Sequence, residues 1–246
     1  MSGLSGLSHN VNPFVFPLRA NYAMEANTLA TQLSGLGTVR AAILSDQPAD
    51  NEINLLLQQA LAGQGIAAQL VSIDSASDEK TVATVKTINK YNAAIMNLSS
   101  EMLETLVRLR LTEAPDVWPP VLMTLSGGNQ PLLMSHFRGR AIGFTQVVPN
   151  PEATTTALAR ELIGDAERSS PLAVTFEGME GYLGARLLVE ALRASRGKPS
   201  SEDLWTVLGT RESWNLAGHV VSFAPGRSSA YKVEVGLRSR SGMLIK

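Results

Sequence analysis

An α/β fold, with a parallel sheet covered by helices on both faces, is predicted for this chain by three observations. Residues 39–45, 67–73, 93–98, 121–125 and 141–148 are short apolar runs of the kind that form buried strands. The segments between them carry apolar residues three and four apart, the period of an amphipathic helix. Breakers such as Gly35-Leu36-Gly37 and Gly63 with Gly65 separate one kind of segment from the other. Strands alternating with helices point to parallel pairing with crossover helices.

The elements follow in order. Residues 1–13 read as a lead-in, and 13–17, with proline at both ends, as extended backbone. A helix is expected over 22–33, with Leu29, Leu33 and Leu36 inward. Ile53, Leu56, Leu57, Ala60 and Leu61 mark the next helix; Val82, Val85 and Ile88 mark another, with Ser77 or Asp78 as its N-cap. Leu103, Leu106 and Val107 belong to the helix before the fourth strand, and a short helix over 130–135 leads into the fifth. Pro149-Asn150-Pro151 then redirects the chain into a helix over 154–167. From Tyr182 a further helix shows a narrow polar stripe of Arg186, Glu190 and Arg193, so most of its circumference requires a protein partner. Ser200 and Asp203 form a capping box that opens a helix through Trp205 and Leu208. The tail reads as strands 220–223 and 231–237 joined by a turn at 224–227, with a second turn at Ser241-Gly242. Tyr231, Val233, Val235 and Leu237 alternate there with Lys232, Glu234 and Arg238, which suits a sheet with one wet face. The segments are then 1–37, lead-in and first helix; 38–150, parallel α/β lobe; 151–210, a helical segment; and 211–246, a C-terminal β segment plus its turns.

Composition narrows the function classes. The chain has 246 residues, 44% hydrophobic and 17% charged, which suits a globular protein with a substantial core. A net charge of -1 and the lack of a Lys/Arg cluster give no reason to expect nucleic acid or an anionic membrane as partner. No apolar run reaches the length of a spanning helix. Residues 1–10 lack a basic n-region, so no signal peptide is visible. The absence of cysteine excludes disulfides and thiolate chemistry.

Ligands of an open parallel sheet sit beyond the carboxyl ends of its strands. Those ends carry Ser45-Asp46-Gln47, Asn97 to Ser100, Thr124 to Asn129, and Thr145-Gln146, a rim of small polar residues. Each also suits a cap or turn. Catalytic constellations are missing: no dinucleotide fingerprint, no phosphate loop, no nucleophile elbow. His9, His136 and His219 lie far apart, without metal-ligand spacing. No catalytic residue, metal or cofactor is therefore expected. Glu177 and Glu180 stand three apart at a helix start, as ligand contacts or as acids favoured by the helix dipole. Arg19 and Tyr22 offer a cation and a phenol near the first helix. Trp118, Trp205 and Trp214 are too scattered for an aromatic box.

Three segments together resemble a known family. They are Phe16-Pro17-Leu18-Arg19-Ala20-Asn21-Tyr22 followed by Glu25, then 143–151 (Gly-Phe-Thr-Gln-Val-Val-Pro-Asn-Pro), then Phe176-Glu177-Gly178 with Gly181-Tyr182-Leu183-Gly184-Ala185-Arg186. Their order and spacing resemble the type I periplasmic solute-binding proteins, specifically the leucine and branched-chain amino acid receptors of ABC transporters. The resemblance implies one lobe of a two-lobed, non-catalytic clamp, with 151–210 returning to the other lobe. It places Tyr22, Asp46, Ser99 and Gln146 at the cleft and Glu177 in a glutamate-glycine-tyrosine segment interrupted here by Met179-Glu180-Gly181. With Ser126 from the rim, these six residues are the expected ligand contacts. Three departures accompany it. Asp46-Gln47-Pro48-Ala49-Asp50 replaces an aromatic and acidic loop, no signal peptide is present, and most of the first lobe has no counterpart.

The expected function is a solute-binding-protein-like module for a small polar ligand such as an amino acid, serving transport or sensing. The location is periplasmic by resemblance, or cytoplasmic if the chain is complete as given. The alternative is an interaction protein that kept half of the fold; an α/β enzyme ranks last. Under either leading reading the helix from Tyr182 needs cover. Tyr182, Leu183, Leu187, Leu188 and Leu192 are expected to meet a second copy or another partner, or to fold back on the chain's own sheet.

Overall fold

The computed structural model describes residues 16–74, 77–114, 116–128, 137, 140–169, 174–195, 199–223, 233–238 and 244–245. The lead-in at 1–13, the helix expected over 130–135, the turns at 224–227 and 241–242, and His9 and His136 lie outside them. The chain divides into two compact units: Met1–Asn21 with Val147–Val233, and Tyr22–Gln146 with Glu234–Lys246.

The second unit holds the α/β body. Its elements run α1 (Tyr22–Gly35), β1 (Arg40–Ser45), α2 (Glu52–Gly63), β2 (Ala67–Ser72), α3 (Asp78–Lys86), β3 (Ala93–Asn97), α4 (Ser100–Arg108), β4 (Val121–Thr124) and β5 (Ile142–Gln146). The helices start where side chains cap them: Asn51 accepts from Ile53 N–H at 3.0 Å, Ser77 from Lys80 N–H at 3.2 Å, and Ser99 from Met102 N–H at 3.2 Å. Strands β1 to β5 pair in parallel in the order β2-β1-β3-β4-β5. Neighbouring residues Ala41, Ala42, Ile43 and Leu44 are all buried, so both faces of the sheet are covered. One face packs Ala41, Ile43, Ala93, Ile95 and Met123 against Leu29 and Leu33 of α1 and Leu57 and Leu61 of α2. Right-handed crossovers assign α3 and α4 to the other face.

The tail departs from the expected hairpin. Strand β8 (Glu234–Arg238) pairs antiparallel with β5, and β9 (Leu244–Ile245) pairs with β8. Residues 219–221 instead form β7 (His219–Val221), which pairs with β6 (Trp214–Leu216), a strand that the apolar pattern does not announce. The physical reason is local. Ala217 and Gly218, at φ 52 and 88, supply a two-residue hairpin turn that brings β6 and β7 together. Strand β8 is left to cover the row of N–H and C=O groups that β5 would otherwise expose. Its alternation also differs from expectation: Leu237 is exposed, and Gly236 is buried opposite Phe144.

The first unit packs α5 (Ala157–Arg168), α6 (Phe176–Ala194), α7 (Ser201–Thr210) and the β6–β7 hairpin. The capping box of α7 is present, with Ser200 and Asp203 each holding the other's backbone N–H. Helix α6 begins at Phe176 rather than Tyr182, because the Thr175 hydroxyl accepts from Gly178 N–H at 3.0 Å and secures a first turn that contains glycine. Leu158, Leu162, Met179, Leu183, Leu187, Ala191, Trp214 and Leu216 form its core. Much of the α6 face expected to need a partner is thus covered by this unit itself. Leu183 and Leu187 are buried, whereas Leu188 and Leu192 remain exposed. Residues 16–21 lie on the same helix, where Arg19 pairs with Glu180 at 3.6 Å and Leu18 stands over Gly184. Arg186 reaches Glu161 of α5 at 2.9 Å, leaving Arg193 as the partner of Glu190 at 2.8 Å.

Two predictions follow from this packing. A Cβ at Gly236 would stand 2.7 Å from Phe144 Cζ and 2.1 Å from Gln146 Nε2. The Phe144 ring is locked in the core, so Gly236→Ala should destabilise the chain by about 1–3 kcal/mol in urea unfolding. Gly63→Ala, where nothing lies within 4 Å of the new atom, should be neutral or stabilising. The second concerns α5 and α6. Tyr182 donates to Asp165 at 2.6 Å; burial, together with this bond, pushes the phenol from 10.0 up to about 12. Because the folded value is raised, its contribution to stability is complete below pH 10 and is lost as pH rises towards 12. The difference in unfolding stability between the wild type and Tyr182→Phe should therefore shrink across that window. A pH-independent difference would contradict the assignment.

Candidate functional site

In the sheet order β1, β3, β4 and β5 are neighbours and run the same way, so their carboxyl ends emerge at one edge in steps of about 4.8 Å. Asp46, Ser99 and Ser126 follow the ends of β1, β3 and β4, and Gln146 is the last residue of β5. All four belong to the second unit, as does Tyr22 at the start of α1.

The strand order reverses between β1 and β3, the place where doubly wound sheets open a crevice. Here the two side chains expected to contact a ligand contact each other. The Asp46 carboxylate accepts from the Ser99 backbone N–H at 3.0 Å, from the Ser99 hydroxyl, and from Gln47 Nε2 at 3.0 Å. The Ser99 oxygen also caps α4. Alongside, Asn97 donates to Asn54 Oδ1 at 2.8 Å, and Asn54 donates to the Pro48 carbonyl at 3.0 Å, tying the first turn of α2 to the end of β3. These charge-assisted and amide bonds hold the loops after β1 and β3 to one another.

A second cluster surrounds Glu25, the acid that follows the Phe16–Tyr22 segment. Glu25, in the first turn of α1, has no solvent exposure. Its Oε2 accepts from Ser126 N–H at 2.8 Å, its Oε1 from the Ser126 hydroxyl at 3.0 Å, and Oε2 also from the Thr145 hydroxyl. Tyr22 stands one turn before Glu25, and its phenolic oxygen lies 3.9 Å from the position of a Cβ on Gly127. Gln146 is nearly buried, with its amide folded over Gly236. The structure therefore brings Tyr22 and Ser126 together beside Glu25 at the end of β4, whereas Gln146, next to Thr145 in β5, turns to the opposite face over Gly236. A sequence signal for Glu25 did exist. It shares the inward i, i+4, i+8 stripe with Leu29 and Leu33, and an acid on an apolar stripe calls for buried donors.

Glu177 belongs to the other unit, exposed in the first turn of α6. His219 is partly buried in β7, and that burial holds its imidazole below the ordinary value. Trp118 donates to the Leu111 carbonyl at 2.8 Å and meets Phe137 edge-on, both in the core. Trp214 is buried beneath the Arg211 guanidinium, 4.4 Å from the ring centre, and Trp205 is partly exposed. Among the described residues no group of His, Asp or Glu is placed to hold a metal ion, and no helix is long and apolar enough to cross a membrane.

No family profile matches the chain, and no curated protein matches it. Solved structures do. An extracellular ligand-binding receptor from Verminephrobacter eiseniae superimposes with a TM-score of 0.81 at 23% identity, covering 100% of this chain and 72% of that one. A leucine-binding protein from Thermotoga maritima gives 0.74 at 15% identity, covering 96% and 67%. A solute-binding protein of an ABC transporter from R. palustris, in complex with benzoate, gives 0.70 at 11% identity, covering 95% and 64%. The chain therefore carries the fold of the type I periplasmic solute-binding proteins, over 64% to 72% of the length of these structures.

Proposed function

We propose that the chain is a solute-binding module that holds a small polar ligand, such as an amino acid, at the carboxyl edge of its sheet and performs no chemistry on it. The observation that carries this reading is the placement of Tyr22 and Ser126 together at the carboxyl end of β4. The names of the structural neighbours support it: each is a receptor or binding protein, and those with a stated ligand take leucine or benzoate. On this reading Tyr22, Ser126 and Gln146 touch the ligand. Asp46 and Ser99 line the crevice between β1 and β3 and open to a ligand by exchanging their mutual bonds. Glu177, exposed on α6, is a separate candidate contact to be tested by itself. Transport or sensing in the periplasm is the corresponding role.

A second reading has its own observation. Leu188, Val189 and Leu192 are 49%, 41% and 42% exposed along α6, an apolar strip that a second copy of the chain would cover.

A thermal-shift panel of the common amino acids, benzoate and related acids tests the first reading. A ligand at about a hundred times its Kd should add roughly 2.7 kcal/mol of stability. Tyr22→Phe, Ser126→Ala and Gln146→Ala should each weaken that effect more than Glu101→Gln on the exposed face of α4. A panel without any stabilising compound would remove the binding reading. Sedimentation at micromolar concentration addresses the second: association relieved by Leu188→Glu with Leu192→Glu supports it, and a clean monomer excludes it.

A further inference from the structure

The order of the sheet leaves β2 with a neighbour on one side only. In its parallel pairing with β1 the ladder bonds fall on alternate residues of β2. Ala67 N–H donates to the Val39 carbonyl at 3.0 Å, and Ile73 N–H to the Ser45 carbonyl at 2.8 Å. That phase turns the N–H and C=O of Ala68, Leu70 and Ser72 away from β1, and among the described residues no other strand pairs with β2. Edges of this kind are ordinarily blunted by shortness, charge, proline or a bulge. Strand β9, at the other end of the sheet, is two residues long. Strand β2 has none of these devices: it is a run of six, Ala-Ala-Gln-Leu-Val-Ser, in unbroken register with β1. Ala67, Gln69 and Ser72 are exposed, and Leu70 is half-buried.

This edge complements itself. Antiparallel pairing with β2 of a second copy, centred on Leu70, sets Leu70 opposite Leu70 and Ala68 opposite Ser72. The outward residues of the two copies then exchange N–H and C=O bonds, and each Leu70 side chain covers the other. The two ends also match in charge. Exposed Arg40 is in register with Ala67 at the amino end of β2, and it shares the Tyr91 ring with Lys90, at 5.5 and 5.4 Å from the ring centre. Asp74, also exposed, follows the carboxyl end of β2. Antiparallel pairing brings the basic end of each copy beside the acidic end of the other, whereas parallel pairing would set like charges side by side.

We infer that the outer edge of β2 is a self-association surface, on which a second copy of this chain extends the sheet by antiparallel β2–β2 pairing. The surface is separate from the strip on α6, and the inference does not depend on the binding reading. With one strand from each copy the contact is small, so the dimer belongs to the weak, concentration-dependent class.

Sedimentation equilibrium of the full chain at micromolar concentrations should show monomer in exchange with dimer. Hydrogen exchange resolved to single amides should slow at least roughly tenfold at Ala68, Leu70 and Ser72 as concentration rises. Ala68→Pro removes an outward N–H and leaves the ladder to β1 intact, and Leu70→Lys sets two cations face to face. Each should weaken the dimer at least roughly tenfold while the chain still melts cooperatively, and the exchange data decide where a variant does not fold. Arg40→Glu should also weaken it, and Leu188→Glu with Leu192→Glu on α6 should leave it unchanged. A monomer at every concentration, a dimer unmoved by folded β2 variants, or a dimer abolished by the α6 pair overturns the inference. Protection of these amides that does not vary with concentration overturns it too, by assigning the edge to another segment of the same chain.

Discussion

A glutamate with no exposure to water needs donors supplied by the protein, and the second unit is arranged around that requirement. Moving an unpaired carboxylate into a protein interior costs several kcal/mol, so a buried acid survives when its lone pairs are met. Glu25 accepts from the N–H and hydroxyl of Ser126, just after β4, and from the Thr145 hydroxyl in β5, and so pins the first turn of α1 to the ends of both strands. The apolar residues one and two turns on, Leu29 and Leu33, then seat against α2 and the sheet. Helix and sheet are joined by an apolar layer along most of α1 and by a polar knot at its head. Such a knot specifies one arrangement, because a shifted helix would leave charge and donors unmatched in a medium of low dielectric.

The same edge of the sheet shows two ways of treating polar strand ends. Between β1 and β3, where the winding reverses, Asp46 and Ser99 satisfy each other and the loops are tied together by Asn54 and Asn97. At the ends of β4 and β5 Glu25 draws the donors of Ser126 and Thr145 behind the rim. The difference arises from the helix that approaches each pair of ends. Helix α1 approaches the ends of β4 and β5 with an acid in its first turn, and α2 approaches β1 and β3 with an amide, Asn54.

The first unit resolves a different constraint. A helix with a narrow polar stripe has apolar surface on most sides, and α6 covers part of it with α5, the hairpin of β6 and β7, and the segment 16–21. What remains exposed is the strip at Leu188, Val189 and Leu192. The polar contacts of α6 run sideways to α5, through Tyr182 to Asp165 and Arg186 to Glu161, and so fix how the two helices are paired.

Sequence by itself determined the parts of this protein that depend on neighbours in the chain. The five parallel strands, a cap at Ser77 or Asp78, the capping box at Ser200 and the polar rim were legible because periodicity and capping act within a few residues. The start of α6 was legible only in part, since glycines at 178 and 181 argue against a turn that Thr175 nevertheless caps. Only the tertiary structure decided which polar groups meet. Asp46 finds Ser99 across 53 residues, and Glu25 finds Ser126 and Thr145 across 101 and 120. The tertiary structure also decided that β8 closes the exposed edge of β5 while β7 turns back on β6. Each of these choices compares partners distant in sequence, through burial, unpaired backbone groups and the geometry of a twisted sheet. None of those quantities exists until the chain has folded.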